Sequence, residues 1–392
     1  MAVRAPRLVR NPSRILFRTH LVPRASPLKP WAVQASPFSS GTLRMQNMKA
    51  LVYTGPGKLE FQERAIPTIQ SPTDAIVKMR HTTICGTDLH ILKGDVPSIE
   101  YGRVLGHEGV GSIVSVGSAV SDFKADDTVL ISAITGCGVC PSCRRGMSSH
   151  CSSGGWLLGN SQDGTQAEYV RIPHATSSLY KIPASIDPRA AVTLSDAFPT
   201  GMESGAMNAC VQPGSTVAVI GAGPVGLAAM LTAKLYSPSY LVAIDLDETR
   251  LGHAKRLGAD ETVNPSSPGA MEALEKATDG VGFDAVIEAV GVPKTFELSQ
   301  KLVAPGGSLA NVGVHGQKVD LYLDKLWDRN IAIRTKLLDA YTIPTLIRLS
   351  SRGIIDPATL LTHHFPFSQS LEAYEAFKAA SVQGTLKVAI DF

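Results

Sequence analysis

Residues 216–235 read TVAVIGAGPVGLAAMLTAKL, and this stretch decides the fold of a large part of the chain. Its first five residues form a continuous apolar run that is typical of a buried strand, and residues 227–235 have the composition of a helix. Between the two lie the residues of a glycine-rich turn: Gly221, Ala222, Gly223, Pro224, Val225 and Gly226. Glycines at these positions allow a tight turn and let a pyrophosphate approach the N-terminus of the following helix. With a strand before the turn and a helix after it, the stretch predicts a dinucleotide-binding site.

A second apolar run, residues 240–244, ends at Asp245. A carboxylate at the end of the second strand accepts hydrogen bonds from the adenosine ribose hydroxyls and repels a 2′-phosphate. Asp245 therefore predicts NAD rather than NADP as the cofactor. Arg250 follows a turn further along the chain, and we interpret it as a solvated helix residue.

The alternation of strands and helices continues beyond this point. Residues 284–291 and 307–313 read as later strands of the same sheet, with glycines at the ends nearest the cofactor. Such alternation predicts a doubly wound parallel sheet, which we place at residues 198–336. The fold class predicted for the chain is therefore α/β.

Residues 49–197 and 337–392 are predicted to form a second, mostly β domain. Up to about residue 171 the chain consists of short apolar runs broken by Gly, Pro and Asp, which suit short strands joined by tight turns in an irregular barrel. At the far end, residues 371–380 are predicted to be helical and residues 386–390 to form a final strand. His363 and His364 are predicted to lie in a loop.

A candidate metal site lies within residues 85–108. Cys85 and His107 are good zinc ligands, and a catalytic zinc usually takes three protein ligands and leaves one position open. Thr87 and His90 follow the cysteine closely, where a hydroxyl and an imidazole could pass a proton from the site to solvent.

A second candidate metal site is formed by four cysteines with the spacing Cys-x2-Cys-x2-Cys-x7-Cys. They are Cys137, Cys140, Cys143 and Cys151. This spacing lets four thiolates close around one tetrahedral zinc ion, and a closed site of this kind is structural. Disulfides are the competing interpretation, but nothing in the sequence signals secretion. Cys210 is left over, and we interpret it as a small core residue.

The charge of the chain is unevenly distributed. Residues 1–48 carry eight basic residues and no acidic one, whereas the remainder has 29 basic and 34 acidic residues. The acidic body gives no support to nucleic-acid binding, and no apolar run is long enough to span a membrane. An Arg- and Ser-rich leader without acids is typical of a transit peptide, so we predict a mitochondrial matrix protein, or a cytoplasmic one if the leader is not a true transit peptide.

From residue 48 to the end, the order and spacing of these motifs resemble the zinc-dependent medium-chain alcohol dehydrogenases. The resemblance implies a GroES-like catalytic domain, a Rossmann domain and a cleft between them. It also implies that Cys85 and His107 hold a catalytic zinc, and that Asp88 orients His107. The third ligand of the family comes from the region of Asp196, whereas some polyol-oxidising branches use the residue that matches Glu108. Asp196 is preferred, and both alternatives stay open.

The function predicted is the interconversion of a small or medium alcohol, primary or secondary, with its aldehyde or ketone. By the resemblance, zinc lowers the pKa of the alcohol, Thr87 accepts its proton, His90 ends the proton relay and NAD takes the hydride. Val96, Trp156 and Phe198 are candidate walls of the substrate pocket. The alternatives are a polyol or formaldehyde dehydrogenase of the same family and a non-catalytic dinucleotide-binding protein. The resemblance also predicts a homodimer or homotetramer.

Overall fold

The structure is a computed structural model, and it describes residues 47–392. The predicted transit peptide, residues 1–48, lies outside the described residues except for residues 47 and 48. Strand β1 begins at Asn47, two residues before the predicted start of the mostly β domain. Within residues 47–392, no helix combines the length and the apolar character needed to cross a membrane.

Sixteen strands occur in the described residues. In chain order they are β1 (Asn47–Gly55), β2 (Lys58–Ala65), β3 (Ala75–Thr83), β4 (Arg103–Val104), β5 (Gly109–Val116), β6 (Thr128–Ile131), β7 (Tyr169–Ile172), β8 (Leu179–Lys181), β9 (Thr216–Ile220), β10 (Tyr240–Ile244), β11 (Glu261–Val263), β12 (Phe283–Glu288), β13 (Val303–Asn311), β14 (Ala332–Thr335), β15 (Leu361–Pro366) and β16 (Lys387–Asp391).

Thirteen α-helices occur in the same part of the chain, most of them short. They are α1 (Gly86–Lys93), α2 (Pro141–Arg144), α3 (Ala175–Ser178), α4 (Pro188–Ala191), α5 (Ala197–Thr200), α6 (Pro224–Ala233), α7 (Glu248–Arg256), α8 (Ala270–Lys276), α9 (Pro293–Leu302), α10 (Leu323–Leu326), α11 (Ile343–Ser351), α12 (Ser370–Lys378) and α13 (Ala380–Gln383). Short 3-10 helices lie at Ser148–His150, Val192–Leu194, Lys234–Tyr236, Pro357–Leu360 and Phe367–Gln369, and a π-helix spans Gly201–Met207.

The predicted parallel sheet is present. Its six strands lie in the order β11-β10-β9-β12-β13-β14, and every neighbouring pair is parallel. Strands β9 and β10 are almost entirely buried, as expected where helices cover both faces of a sheet. The order reverses between β9 and β12, and cofactors bind at such a switch point in open α/β sheets.

The remaining strands form two further sheets. A seven-stranded sheet has the order β15-β16-β3-β5-β6-β8, with β7 also paired to β3, and a three-stranded sheet has the order β2-β1-β4. The C-terminal strand β16 lies antiparallel to β3 in the larger sheet, so the chain returns to its first half, as predicted. This pairing brings the end of the chain next to the segment that begins at Cys85.

Two local predictions are wrong. His363 and His364 lie in strand β15 and not in a loop, because the backbone of this segment pairs with β16. Cys210 is exposed and not a core residue. It follows the π-helix in the left-handed region, with φ of 55°, and this reversal of the chain turns its side chain to the surface.

Candidate active site

The glycine-rich turn is shaped by close backbone packing. Gly221 follows β9 with φ of 98°, which is the left-handed region that favours glycine. A Cβ on Gly226 would lie 1.8 Å from the carbonyl oxygen of Gly221, so this position also excludes a side chain. Helix α6 begins at Pro224, and the half-buried Val225 follows in its first turn. The turn therefore presents the start of α6 at the switch point of the sheet.

Asp245 lies directly beside this turn. Its Oδ2 accepts a hydrogen bond from the backbone N–H of Ala222 at 2.7 Å, and its Oδ1 accepts one from the N–H of Asp247 at 2.9 Å. These two contacts fix the carboxylate against the turn. Each oxygen still has an unused lone pair that can accept a hydrogen bond from a hydroxyl group.

Arg250 is only partly solvated, and not the fully solvated helix residue that the sequence suggested. Its side chain is half-buried, and Nη1 lies 4.0 Å from the position that a Cβ on Gly223 would take. Its Nε is buried and has no hydrogen-bond partner. Because Arg250 lies in the first turn of α7, which is capped by Asp247, it extends toward the glycine-rich turn.

The helical segment that follows Asp196 packs on α6. A Cβ on Gly201 would lie 2.4 Å from the backbone nitrogen of Ala229, so the two backbones are in direct contact. Ser195 joins the same segment to β5, because the N–H of Gly109 donates to its Oγ at 3.1 Å. Asp196 is thus placed between the parallel sheet and the segment that carries the other candidate ligands.

The candidate catalytic ligands come together in space. Donor atoms of Cys85, His107, Glu108 and Asp196 all lie within 4.8 Å of one another. The Sγ of Cys85 lies 3.6 Å from Oδ2 of Asp196, and Nε2 of His107 lies 3.4 Å from the same oxygen. Cys85 is the N-cap of α1 at the end of β3, and His107 lies in the short link between β4 and β5. His107 and Asp196, which follow Cys85 by 22 and 111 positions in the chain, therefore share one site with it.

The electrostatics of the site suit a cation. Burial would lower the pKa of His107, but the hydrogen bonds and negative charges of Asp196 and Cys85 raise it well above its usual value. Burial would raise the pKa of Asp196, but His107 holds it below its usual range. The donor set attracts positive charge, and a thiolate, an imidazole and a carboxylate are donors that zinc accepts. The residues therefore fit a zinc ion.

Glu108 has other partners. Its Oε1 is in a buried ion pair with Lys387, and its Oε2 accepts a hydrogen bond from Oγ1 of Thr83 at 2.5 Å. Asp196, in contrast, has one oxygen that faces both Cys85 and His107, while Oγ1 of Thr200 donates to the other at 2.7 Å. This difference favours Asp196 over Glu108 as the third ligand.

The two candidate relay residues lie on α1. Oγ1 of Thr87 is 3.7 Å from Sγ of Cys85, and the side chain of His90 is 36% exposed, with Nδ1 2.9 Å from Oδ2 of Asp95. One relay candidate therefore touches the ligand set, and the other reaches solvent.

Asp88, which the resemblance implies orients His107, forms no hydrogen bond to it. Its Oδ2 instead accepts from the N–H of Cys85 at 2.9 Å and from Nε2 of Gln166 at 3.3 Å. Oδ1 of Asp88 and Nδ1 of His107 are both buried without a hydrogen-bond partner. Asp88 therefore positions the backbone of Cys85, because it caps the first turn of α1.

The four cysteines of the second candidate site also come together. One Sγ from each of Cys137, Cys140, Cys143 and Cys151 lies within 4.8 Å of the others, and no disulfide joins any of them. Backbone N–H groups of Cys137, Cys140 and Cys143 donate to the thiol sulfurs of the set at 3.3–3.4 Å. Such N–H donors lower the pKa of Cys140 to about 5, whereas burial raises the pKa of Cys143 to about 12. Four sulfurs in this arrangement fit a tetrahedral zinc ion.

We expect Cys140→Ser to destabilise the protein and to leave the Cys85 site able to bind metal. Structural zinc sites in small domains contribute about 10–16 kcal/mol of apparent binding energy, so the loss of one of four ligands should cost several kcal/mol. Thermal unfolding together with the zinc content of the folded fraction measures both effects. An equal loss of thermal stability in Cys85→Ser would argue against different roles for the two sites.

The predicted pocket walls have different surroundings. The ring centroid of Trp156 lies 6.1 Å from that of His107, edge to face, so Trp156 borders the ligand set. Val96 is half-buried and packs against the apolar cluster of Ile84 and Ile91, which Trp156 also contacts. Phe198 is 0% exposed and lies in the core, so the prediction that it lines an open pocket is wrong. Its place on α5, which packs on α6, explains this burial.

Several residues that support the site were not found from the sequence. Lys387 pairs with Glu108, and Tyr374 donates from its hydroxyl to Oε1 of Gln166 at 2.9 Å, behind Asp88. The sequence contains one indication of the role of Lys387, since it is a charged residue inside the apolar run 386–390. Tyr374 and Gln166 carried no signal, because their contacts join residues 208 positions apart.

Comparison with known proteins agrees with this geometry. Residues 71–184 match the family model of the alcohol dehydrogenase GroES-like domain, and residues 224–352 match that of the zinc-binding dehydrogenases. An alcohol dehydrogenase of Cupriavidus necator is 36% identical over 363 residues, which cover 88% of this chain and 98% of that protein.

Two further relatives widen the comparison. The zinc-dependent alcohol dehydrogenase 2 of Streptococcus pneumonia, solved in its apo form, has 46% sequence identity and a TM-score of 0.84, covering 88% of this chain and 98% of its own. An NADP-dependent isopropanol dehydrogenase of Thermoanaerobacter brockii is 33% identical over 335 residues, covering 83% of this chain and 94% of that protein. The two domain matches and these relatives show that the chain belongs to the zinc-dependent medium-chain alcohol dehydrogenase family.

Proposed function

We propose that this protein is an NAD-dependent zinc alcohol dehydrogenase that interconverts a small or medium alcohol, primary or secondary, with its aldehyde or ketone. The observation that carries the proposal is the convergence of Cys85, His107 and Asp196 beside the hydroxyl of Thr87. Asp196 is followed by a helical segment that packs against α6, the helix of the glycine-rich turn. In this proposal the metal site, the proton acceptor and the dinucleotide site face one cleft between the two domains.

In this proposal Cys85, His107 and Asp196 hold the catalytic zinc, and the four cysteines hold a structural one. A zinc ion with an open position polarises an alcohol oxygen and lowers its pKa. The hydroxyl of Thr87, near Cys85, can take the alcohol proton only while it passes its own proton onward, and His90 in the last turn of the same helix can exchange that proton with solvent. The GroES-like part is proposed to span residues 49–197 and 337–392, and the Rossmann part residues 198–336.

The preference for NAD rests on Asp245. Its carboxylate is fixed beside the turn and can accept hydrogen bonds from ribose hydroxyls, while its negative charge repels a 2′-phosphate. Arg250 supports the alternative, NADP, because its guanidinium lies near Gly223 and could pair with a phosphate. The relative from T. brockii is named for NADP. We favour NAD because the carboxylate adjoins the turn directly.

Asp245→Asn is expected to relax the discrimination against NADP by about 1–3 kcal/mol, the range for a hydrogen bond to a charged group. Asparagine keeps an oxygen for the N–H of Ala222, so the turn itself should be retained. The ratio of kcat/KM for the two cofactors, measured with one alcohol, gives the change. Arg250→Gln is the matched control. A parent protein that prefers NADP and loses this preference in Arg250→Gln would establish the alternative.

The substrate is proposed to be small or medium in size because Trp156 borders the ligand set. An oxidation screen with NAD across primary alcohols, secondary alcohols, diols and aldehyde hydrates tests this. Turnover of primary or secondary alcohols is expected, whereas a strong preference for polyols or formaldehyde hydrate would favour the alternative branches of the family. NAD binding without turnover of any substrate would favour a non-catalytic role. Light scattering tests the homodimer or homotetramer that we also propose.

A further inference from the structure

A buried ion pair lies next to the candidate catalytic site. Nζ of Lys387 pairs with Oε1 of Glu108, and the two side chains are only 3% and 1% exposed. Nζ also lies 3.4 Å from the carbonyl oxygen of Ile84, one residue before Cys85. A buried ion pair is often no more stabilising than apolar residues of the same volume, because both charges lose their hydration. Stability alone therefore does not account for this pair.

Glu108 is close enough to act as a metal ligand. One of its oxygens lies within 4.8 Å of the donor atoms of Cys85, His107 and Asp196. Four protein ligands would close a tetrahedral zinc site, whereas three leave a position for substrate. Whether Glu108 binds the metal therefore decides whether the site is open.

We propose that Lys387 is a positioning residue that keeps Glu108 out of the ligand set and thereby keeps the fourth coordination position open. The inference rests on the proposed catalytic metal site. Thr83 assists, since its hydroxyl donates to the second oxygen of Glu108. Together the two contacts satisfy both oxygens with protein groups, so that Glu108 does not need a metal as its partner.

The charges around the site support this role. Cys85 as thiolate, Asp196 and Glu108 carry three negative charges, one more than a zinc ion offsets. Lys387 supplies the additional positive charge, and it enters on β16, a different strand from those that carry the ligands. Without the ammonium group, the metal is the remaining strong positive partner for the carboxylate of Glu108.

The experiment uses the cobalt(II)-substituted protein, in which the visible spectrum reports the coordination of the metal, with imidazole as a probe of the open position. The variants are Lys387→Met, Lys387→Arg and the double variant Lys387→Met/Glu108→Gln. We expect imidazole to change the spectrum of the parent protein and to bind Lys387→Met about 10–100-fold more weakly, the usual range for groups that support metal ligands. Lys387→Arg should behave like the parent. The double variant should regain imidazole binding, because it has no carboxylate to occupy the position.

The outcomes separate the possible errors. Imidazole affinity that is equal in the parent and in Lys387→Met overturns the inference, as does a double variant that remains as weak as Lys387→Met. Loss of cobalt from Lys387→Met also overturns it, since a released carboxylate should hold the metal more tightly. A parent protein that binds cobalt only at the four cysteines contradicts the proposed function itself.

Discussion

Cys85→Ser is expected to abolish alcohol oxidation while leaving a folded protein that still binds NAD. The change removes one of three ligands, and a metal ion contributes several kcal/mol of transition-state stabilisation. We therefore expect a loss of turnover on the order of 10³-fold or more. The fold should survive because Cys85 is half-buried at a helix end and is not part of the apolar core. Zinc content, NAD binding and turnover are measured on the same preparation.

Cys210→Ser is the matched control for this change. Cys210 is exposed and lies outside both cysteine-containing clusters, so its replacement should leave zinc content and turnover as in the parent. If Cys85→Ser keeps both zinc ions and a substantial part of its activity, the assignment of Cys85 is wrong.

Thr87→Ala is expected to lower alcohol oxidation by about 10²–10⁴-fold, the usual contribution of a general base. The hydroxyl of Thr87 lies 3.7 Å from Sγ of Cys85, and no other hydroxyl within residues 47–392 forms a hydrogen bond with that sulfur. The defect should persist at high pH, because the group that takes the alcohol proton is lost. Turnover between pH 6 and 10, with a deuterated alcohol to identify the step that limits the rate, measures the effect.

Two matched changes define the relay further. Thr87→Ser keeps a hydroxyl and should retain most activity. His90→Ala should lower activity near neutral pH by less than Thr87→Ala, with partial recovery at high pH, since the exposed imidazole is at the solvent end and water can replace it. A His90→Ala variant that matches the parent at every pH, with hydride transfer limiting the rate, would remove His90 from the relay.

Much of the fold could be predicted because local pattern and tertiary structure agree in the parallel sheet. The run 216–220 and the turn that follows it predict β9 and the start of α6, and both are confirmed. The final strand is confirmed for a similar reason, since an apolar run at the end of a chain needs a sheet to cover it. In these places one short segment contains enough information to fix its own structure.

Other features depend on contacts that the local sequence does not contain. Phe198 is an aromatic residue near a candidate ligand, but the contact between α5 and α6 buries it completely. Arg250 belongs to a charged helix, yet its position in the first turn directs it to the glycine-rich turn. The pair between Lys387 and Glu108 joins residues 279 positions apart, so only the pairing of β16 with β3 reveals it.

The most direct test of the proposed function removes zinc gradually and follows the zinc content per chain and the rate of NAD-linked alcohol oxidation in the same samples. The account predicts two zinc ions per chain in the active protein, and a rate that falls to zero as the content falls from two to one. The ion that leaves should be the one absent from Cys85→Ser. Full alcohol oxidation by protein that retains only the zinc of the four cysteines would contradict the account.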